Sequence, residues 1–331
     1  MSGGRPQELK PAEPFYGTIR GMKTKPLAIL SWVAAQTVAG WAWDASTPQP
    51  NKYELPPASP GVVAEAKAAK ARLKTVSPSA IIGHRGESEF CPENTVPAFA
   101  AAVAGGFGFE CDLWLSNDGV IFITHDSVIG NRKGHTAKGS ATNMVWRGSL
   151  EKSDVGEWKS PVWRGTRMPT IDDVLPWAGE GHLIELHVCD WRWHLLLPKL
   201  KEALARHPNV PARNVLLCES ADGRKWSKEN MPGHPRVSCG LLRKGWRVID
   251  EPYDLSAIEN RYDLKDVEMW SPRWDEDLLT AEIIERVHRK GVKVSVWTVN
   301  DAASAWAALG RGVDVIVTDR PSSLFREMLA F

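Results

Sequence analysis

Gly83 and Gly86 bracket His84 and Arg85 immediately after the apolar run Ala80-Ile81-Ile82. A strand that ends in Gly-His-Arg-Gly turns tightly and holds both side chains at its end. Histidine can exchange a proton near neutrality, and arginine can neutralise an anion. Glu110 and Asp112 stand two apart in FGFECDLW, so a strand projects both to one side and Cys111 to the other. Glu185 and His187 repeat that spacing in HLIELHV. Buried carboxylates side by side repel and are costly unless a cation sits between them. Taken singly, each acid would be read as a salt bridge at a strand end. Glu110, Asp112 and Glu185 together form an all-oxygen donor set, which suits magnesium or calcium rather than zinc. His125-Asp126 closes another apolar run, Val120–Thr124. Glu219, Trp270, Trp297 and Asp319 stand at the ends of further runs. Glu219 either adds negative charge to a pocket or pairs with Arg243, and the pairing is favoured.

These residues converge only if a fold brings strand ends together. From Ala80 onward, short apolar runs alternate with helical patterns, which implies a parallel sheet. Leaving aside the extra strand at Val120, there are eight such units over about 250 residues, the usual size of a (β/α)8 TIM barrel. An open doubly wound sheet is the competing architecture, but no glycine-rich phosphate loop follows the first strand. The barrel is expected over residues 79–331, with its functional groups at the C-terminal ends of the strands. Residues 126–168 lack a helical period and are too long for an ordinary loop, so they read as a small insertion on that face, after the second strand. Trp146, Trp158 and Trp163 are expected to form its core. Thr170 is a helix N-cap with Asp173 in capping-box position. A helix over residues 61–74 is expected to close the bottom of the barrel.

The 331 residues are 43% hydrophobic and 24% charged with net charge +1, which fits a globular protein and gives no basic block for nucleic acid or a membrane surface. Five cysteines, Cys91, Cys111, Cys189, Cys218 and Cys239, have no CxxC spacing, which argues against a disulfide framework or a zinc site. Near the N-terminus, Met22-Lys23-Thr24-Lys25 is followed by a charge-free stretch from Pro26 to Trp43 and by small residues at Gly40-Trp41-Ala42. Basic start, apolar middle and small-residue site describe a secretory signal peptide. Residues 1–42 are therefore read as a signal segment with a start-site extension before Met22, and residues 43–78 as a linker and helix. The expectation is export to the periplasm or the medium, with no stable membrane span.

The motifs HRGES and PENT, then FECDLWLSNDGVIFITHD, GEW, WRGTRMPTIDDVL, LIELHV, GVKVSVWTVND and DVIVTDRP occur in that order. This series resembles the glycerophosphodiester phosphodiesterase family from about Ser79 to the C-terminus. The resemblance implies a TIM barrel with an insertion after the His-Asp motif, and hydrolysis of glycerophosphodiesters to sn-glycerol 3-phosphate and an alcohol. It also implies that His84 and His125 form the general acid/base pair, and that Glu110, Asp112 and Glu185 hold a divalent cation, Ca2+ or Mg2+. Arg85 would contact the phosphate, Trp297 would line the pocket beside the glycerol, and Asn94 would support the loop. One position departs from the family, which usually carries lysine where His187 stands. His187 would then meet the phosphate as a cation or ligate the metal. A phospholipase D-like activity on lysophospholipids and a non-catalytic phosphodiester-binding protein are the alternative readings.

Overall fold

The computed structural model describes residues 57–130, 137–179, 182–239, 264–274 and 277–331, with the backbone of 243–244 and 247–248. The expected signal segment and the helix expected at Asp254–Tyr262 lie outside the described residues. Thirteen short strands appear among the described residues: β1 (Ile81–Gly83), β2 (Gly108–Leu115), β3 (Ile121–Ile123), β4 (Val128–Ile129), β5 (Gly139–Ser140), β6 (Ile184–Val188), β7 (Val215–Cys218), β8 (Arg236–Ser238), β9 (Arg243–Lys244), β10 (Arg247–Val248), β11 (Met269–Trp270), β12 (Lys293–Val296) and β13 (Val315–Thr318). Eight of them run parallel in the order β1, β2, β6, β7, β8, β11, β12, β13. β13 pairs back onto β1, with Gly83 opposite Thr318, and closes a TIM barrel. The open-sheet alternative is excluded by that closure.

The barrel wall sorts the side chains by alternation. Ile82, Leu216, Cys218, Val237, Met269, Val315 and Val317 pack together in one buried cluster. Phe109, Cys111, Leu113, Ile184 and Leu186 belong to the larger core that includes helix residues. Glu110 and Asp112 therefore face away from the helices, as does the Glu185–His187 pair. Register then fixes which groups meet: Glu110 stands opposite Glu185, and Asp112 opposite His187.

The helices that matter here are α1 (Pro60–Leu73), α2 (Val96–Ala104), α3 (Ile171–Val174), α4 (Trp193–Arg206), α5 (Ala221–Asn230), α6 (Ala281–Arg289), α7 (Ala302–Arg311) and α8 (Pro321–Ala330). α3 starts with the capping box of Thr170 and Asp173. α1 lies along α7, where a β carbon at Gly310 would stand 2.6 Å from that of Ala69, so glycine permits the close approach. Arg72 donates to the Gly310 carbonyl, and Arg311 pairs with Glu65 at 2.8 Å. No helix among the described residues is long and apolar enough to cross a membrane.

β3 runs antiparallel to β2, with Leu113 opposite Ile123, and leads into the insertion. There β4 and β5 form a small antiparallel ribbon. Ile129, Ala137, Ala141, Leu150, Val155 and Met168 bury against Phe122 and Trp114, with Trp146 packed on this cluster. Trp146 thus serves the insertion's core as expected. Trp158 and Trp163 instead donate their indole N–H groups to the carbonyls of Val155 (2.8 Å) and Phe90 (3.2 Å). The Phe90 bond and one from Lys159 Nζ to the Ser88 carbonyl (2.8 Å) tie the insertion to the loop between β1 and α2.

Candidate active site

His84 leaves β1 with Nδ1 2.7 Å from Oδ1 of Asp319, just beyond β13. A carboxylate can only accept, so Nδ1 carries the proton and Nε2 is left as the base. Asp319 is itself held by Asn300, which donates to Oδ2 at 2.8 Å and accepts from the Asp319 amide at 3.0 Å and from the Thr318 hydroxyl at 2.9 Å. His125 stands on the exposed rim beyond β3, its side chain 46% accessible, with Nδ1 3.0 Å from Asp126.

Arg85 and Asn94 both adopt the left-handed backbone region, with φ 62° and 57°. Such residues cost of order 1–3 kcal/mol each and persist where surrounding bonds fix them. Here the Asn94 amide donates to the Arg85 carbonyl at 3.0 Å, and the Arg85 amide to Glu110 Oε2 at 3.0 Å. The Arg85 guanidinium lies 2.8 Å from Glu93 and 3.4 Å from Asp112. Burial opposes its charge, but Glu93, Asp112 and Glu110 outweigh burial and raise its pKa. Asn94 grips Asp112 from both sides: Nδ2 donates to Oδ2 at 2.9 Å, and Oδ1 accepts from the Asp112 amide at 3.3 Å.

Burial and neighbouring charges act differently on the three carboxylates. Burial first, and then the neighbouring Asp112 charge, raises Glu110 well above the usual carboxylate range. Burial pushes Glu185 up to about 7, and its Oε2 has no hydrogen-bond partner. Burial also opposes ionisation of Asp112, but the His187 hydrogen bond and the charges of His187 and Arg85 hold it below its ordinary value. Three buried acids of which two resist ionising, one with an orphaned oxygen, are a donor set that a cation would satisfy. The residues present fit a divalent ion.

His187 Nδ1 lies 3.3 Å from Asp112 Oδ1, and the Cys189 thiol donates to that same oxygen at 3.2 Å. Burial would lower the His187 pKa, but the Asp112 hydrogen bond and the Cys189 thiol raise it well above its ordinary value. Among the described residues, two sets of three ligand atoms lie within 4.8 Å of one another: Asp112, His187 and Cys189, and His187, Cys218 and Cys239. Neither is the all-oxygen set expected from the sequence. Register puts His187 directly across from Asp112, and Glu185 directly across from Glu110.

Trp297 follows β12 and donates its indole N–H to the Ser271 carbonyl at 2.9 Å. With His187, Cys218, Cys239, Glu219 and Arg224 it lines a cavity of about 430 Å3. Burial pushes Glu219 up to about 7, against the Ser227 hydroxyl and the charges of Arg236 and Arg224. Its Oε2 has no hydrogen-bond partner, and the Arg243 side chain proposed to meet it lies outside the described residues. Sequence reasoning missed the bond from His84 to Asp319, the Asn300 brace, the Glu93 contact and the cysteines around His187. Alternation along a strand reports which side a residue faces; it carries no signal for partners brought from distant strands.

The sequence model of the glycerophosphoryl diester phosphodiesterase family matches residues 84–211 and 259–323. A glycerophosphodiester phosphodiesterase from Caldanaerobacter subterraneus is 26% identical over 249 residues, covering 74% of this chain and 95% of the relative. A phosphodiesterase from Oleispira antarctica, solved in complex with the product sn-glycerol-3-phosphate, superposes with a TM-score of 0.62 at 20% identity, covering 78% of this chain and 98% of that one. A glycerophosphodiester phosphodiesterase from Agrobacterium tumefaciens gives 0.57 at 23% identity, covering 75% and 99%. The solved structures share the barrel, and the family match spans more than half of the chain, including the residues that follow every barrel strand except β7 and β8. The chain belongs to the glycerophosphoryl diester phosphodiesterase family.

Proposed function

We propose that this protein hydrolyses glycerophosphodiesters to sn-glycerol 3-phosphate and an alcohol, using a divalent cation and a pair of histidines. The observation that carries the reading is the mouth of the barrel, where His84, braced by Asp319, follows β1, the buried carboxylates of β2 stand beside Arg85, and Glu185 of β6 stands opposite Glu110. Family membership supports the reaction class, and the Oleispira antarctica structure supports the product, since that relative was solved with sn-glycerol-3-phosphate. Glu110, Asp112 and Glu185 would hold the cation, which when bound supplies positive charge against the phosphate oxygens.

The chain's own groups do the rest. One histidine removes a proton from the attacking water or glycerol hydroxyl, and the other returns one to the leaving alcohol oxygen. His84 is oriented for this by Asp319, and His125 by Asp126. Arg85 sits among three acids that keep it charged, and it offers that charge to the phosphodiester anion. Asn94 holds Asp112 in place, and Trp297 forms the cavity wall beside the glycerol. A protonated His187 gives a second cation where relatives usually carry lysine. A turnover panel on glycerophosphocholine, glycerophosphoethanolamine, glycerophosphoglycerol and lysophosphatidylcholine tests the reading. Release of glycerol 3-phosphate from the first three is expected. Turnover confined to the lysolipid, or none, overturns it.

A further inference from the structure

We infer that His187, Cys218 and Cys239 form a second metal site, one for a soft or borderline ion of the zinc class, beside the carboxylate site. Their ligand atoms lie within 4.8 Å of one another. They come from β6, β7 and the residue just beyond β8, three consecutive positions around the barrel. His187 pairs in register with Cys218 across β6 and β7, Cys218 with Val237 across β7 and β8, and Cys239 follows Val237 by two residues. Alternation therefore turns all three to one side of the wall, where Cys218 packs among the inward residues and Cys239 lies against them. This explains why the sequence lacks a CxxC signal: each ligand is supplied by a different strand.

The donor set decides the ion. Two sulfurs and an imidazole select zinc-class ions over calcium or magnesium, which take oxygen. Two thiolates and a neutral imidazole also cancel the charge of a divalent ion, so the loaded site is formally neutral and tolerable in a buried wall. The three ligands line the 430 Å3 cavity, which leaves room for a fourth, exogenous ligand. The Cys218 and Cys239 sulfurs already lie within 4.8 Å of each other, so little rearrangement separates the thiol pair from a thiolate pair around an ion. An ion here occupies His187 as a neutral ligand. Soft-ion binding and a protonated His187 therefore exclude one another. The site itself stands whether or not His187 serves the phosphate.

Cobalt(II) is the probe, because cobalt–thiolate bonds give charge-transfer absorption that oxygen and nitrogen ligands do not. The full chain is saturated with Ca2+, titrated anaerobically with Co2+ and followed by absorption, with bound metal counted by elemental analysis. One equivalent of Co2+ should produce the thiolate band, and one equivalent of Zn2+ should bleach it. Cys218→Ser and Cys239→Ser should each lower the band by about half, the double variant should lack it, and Cys189→Ser should keep it. Absence of the band in the wild-type protein overturns the proposal without any variant, so a variant that fails to fold does not shield it. A band that survives the double variant, or that is lost with Cys189→Ser alone, also overturns it.

Discussion

At the level of single residues, the site is a set of oriented acids and bases. His84→Ala and His125→Ala should each lower kcat about 10²–10⁴-fold, the range for general acid/base groups, with KM for glycerophosphocholine little changed. Steady-state kinetics at saturating metal checks this, and a variant with wild-type kcat removes that histidine from proton transfer. Asn94→Ala frees Asp112 from two hydrogen bonds. Loss of such a support typically weakens metal affinity about 10–100-fold. Calorimetric Ca2+ titration of this variant should show that weakening with unchanged stoichiometry. The carboxylates, histidines and Trp297 were legible because each ends an apolar run or repeats a two-residue spacing. Glu93 and Asn300 were not, since Glu93 meets Arg85 through the turn of their shared loop and Asn300 meets Asp319 from the end of the neighbouring strand. The grouping of Cys218 and Cys239 with His187 carried no sequence signal for a related reason, because spacing rules for metal sites assume that ligands come in sequence pairs.

At the level of elements, the loop from β1 to α2 carries His84, Arg85 and Asn94, and two features hold it. Gly86 has φ 86°, and a β carbon there would stand 2.7 Å from the Ala98 backbone in α2. Gly86→Ala should destabilise the fold by about 1–3 kcal/mol through backbone strain, and by more if α2 must shift. Urea unfolding should show a lower midpoint at constant slope. Glu87 then ties the loop to α8, accepting from the amide and hydroxyl of Ser322. Burial pushes its carboxyl up to about 7 from 4.5. Its folded pKa is raised, so the protonated acid is favoured in the fold, and stability is lost as pH rises from about 4.5 through about 7. The cost above that window is at most about 3 kcal/mol, at 1.4 kcal/mol per unit. Glu87→Gln mimics the neutral acid, so its stability relative to wild type should rise between pH 5 and pH 8. Equal pH dependence of the two proteins would show that Glu87 is not the titrating group. Element order and type were readable because period-two and helical patterns alternate cleanly. The hold of Trp163 and Lys159 on this loop was not readable, because both bonds go to backbone carbonyls.

At the level of the whole molecule, closure of eight parallel strands gathers residues from His84 to Asp319 around one mouth. The count of βα units foretold that closure. It did not foretell which carboxylate faces which histidine, because that depends on strand register. Residues 1–42 lie outside the described residues, and we propose that they direct export and are removed. Mass spectrometry of the protein secreted by its natural host should find a chain beginning near Trp43, and a mature protein retaining Met22 would contradict this. The central claim is that turnover needs a cation held by Glu110, Asp112 and Glu185. The direct test is release of glycerol 3-phosphate from glycerophosphocholine by chelator-treated protein, before and after adding Ca2+ or Mg2+, for wild type and Glu110→Gln. No turnover is expected after chelation, with recovery of the wild type by either ion, and Glu110→Gln should require much more metal. Full activity in the chelated wild type, or the same metal requirement in both proteins, would contradict it.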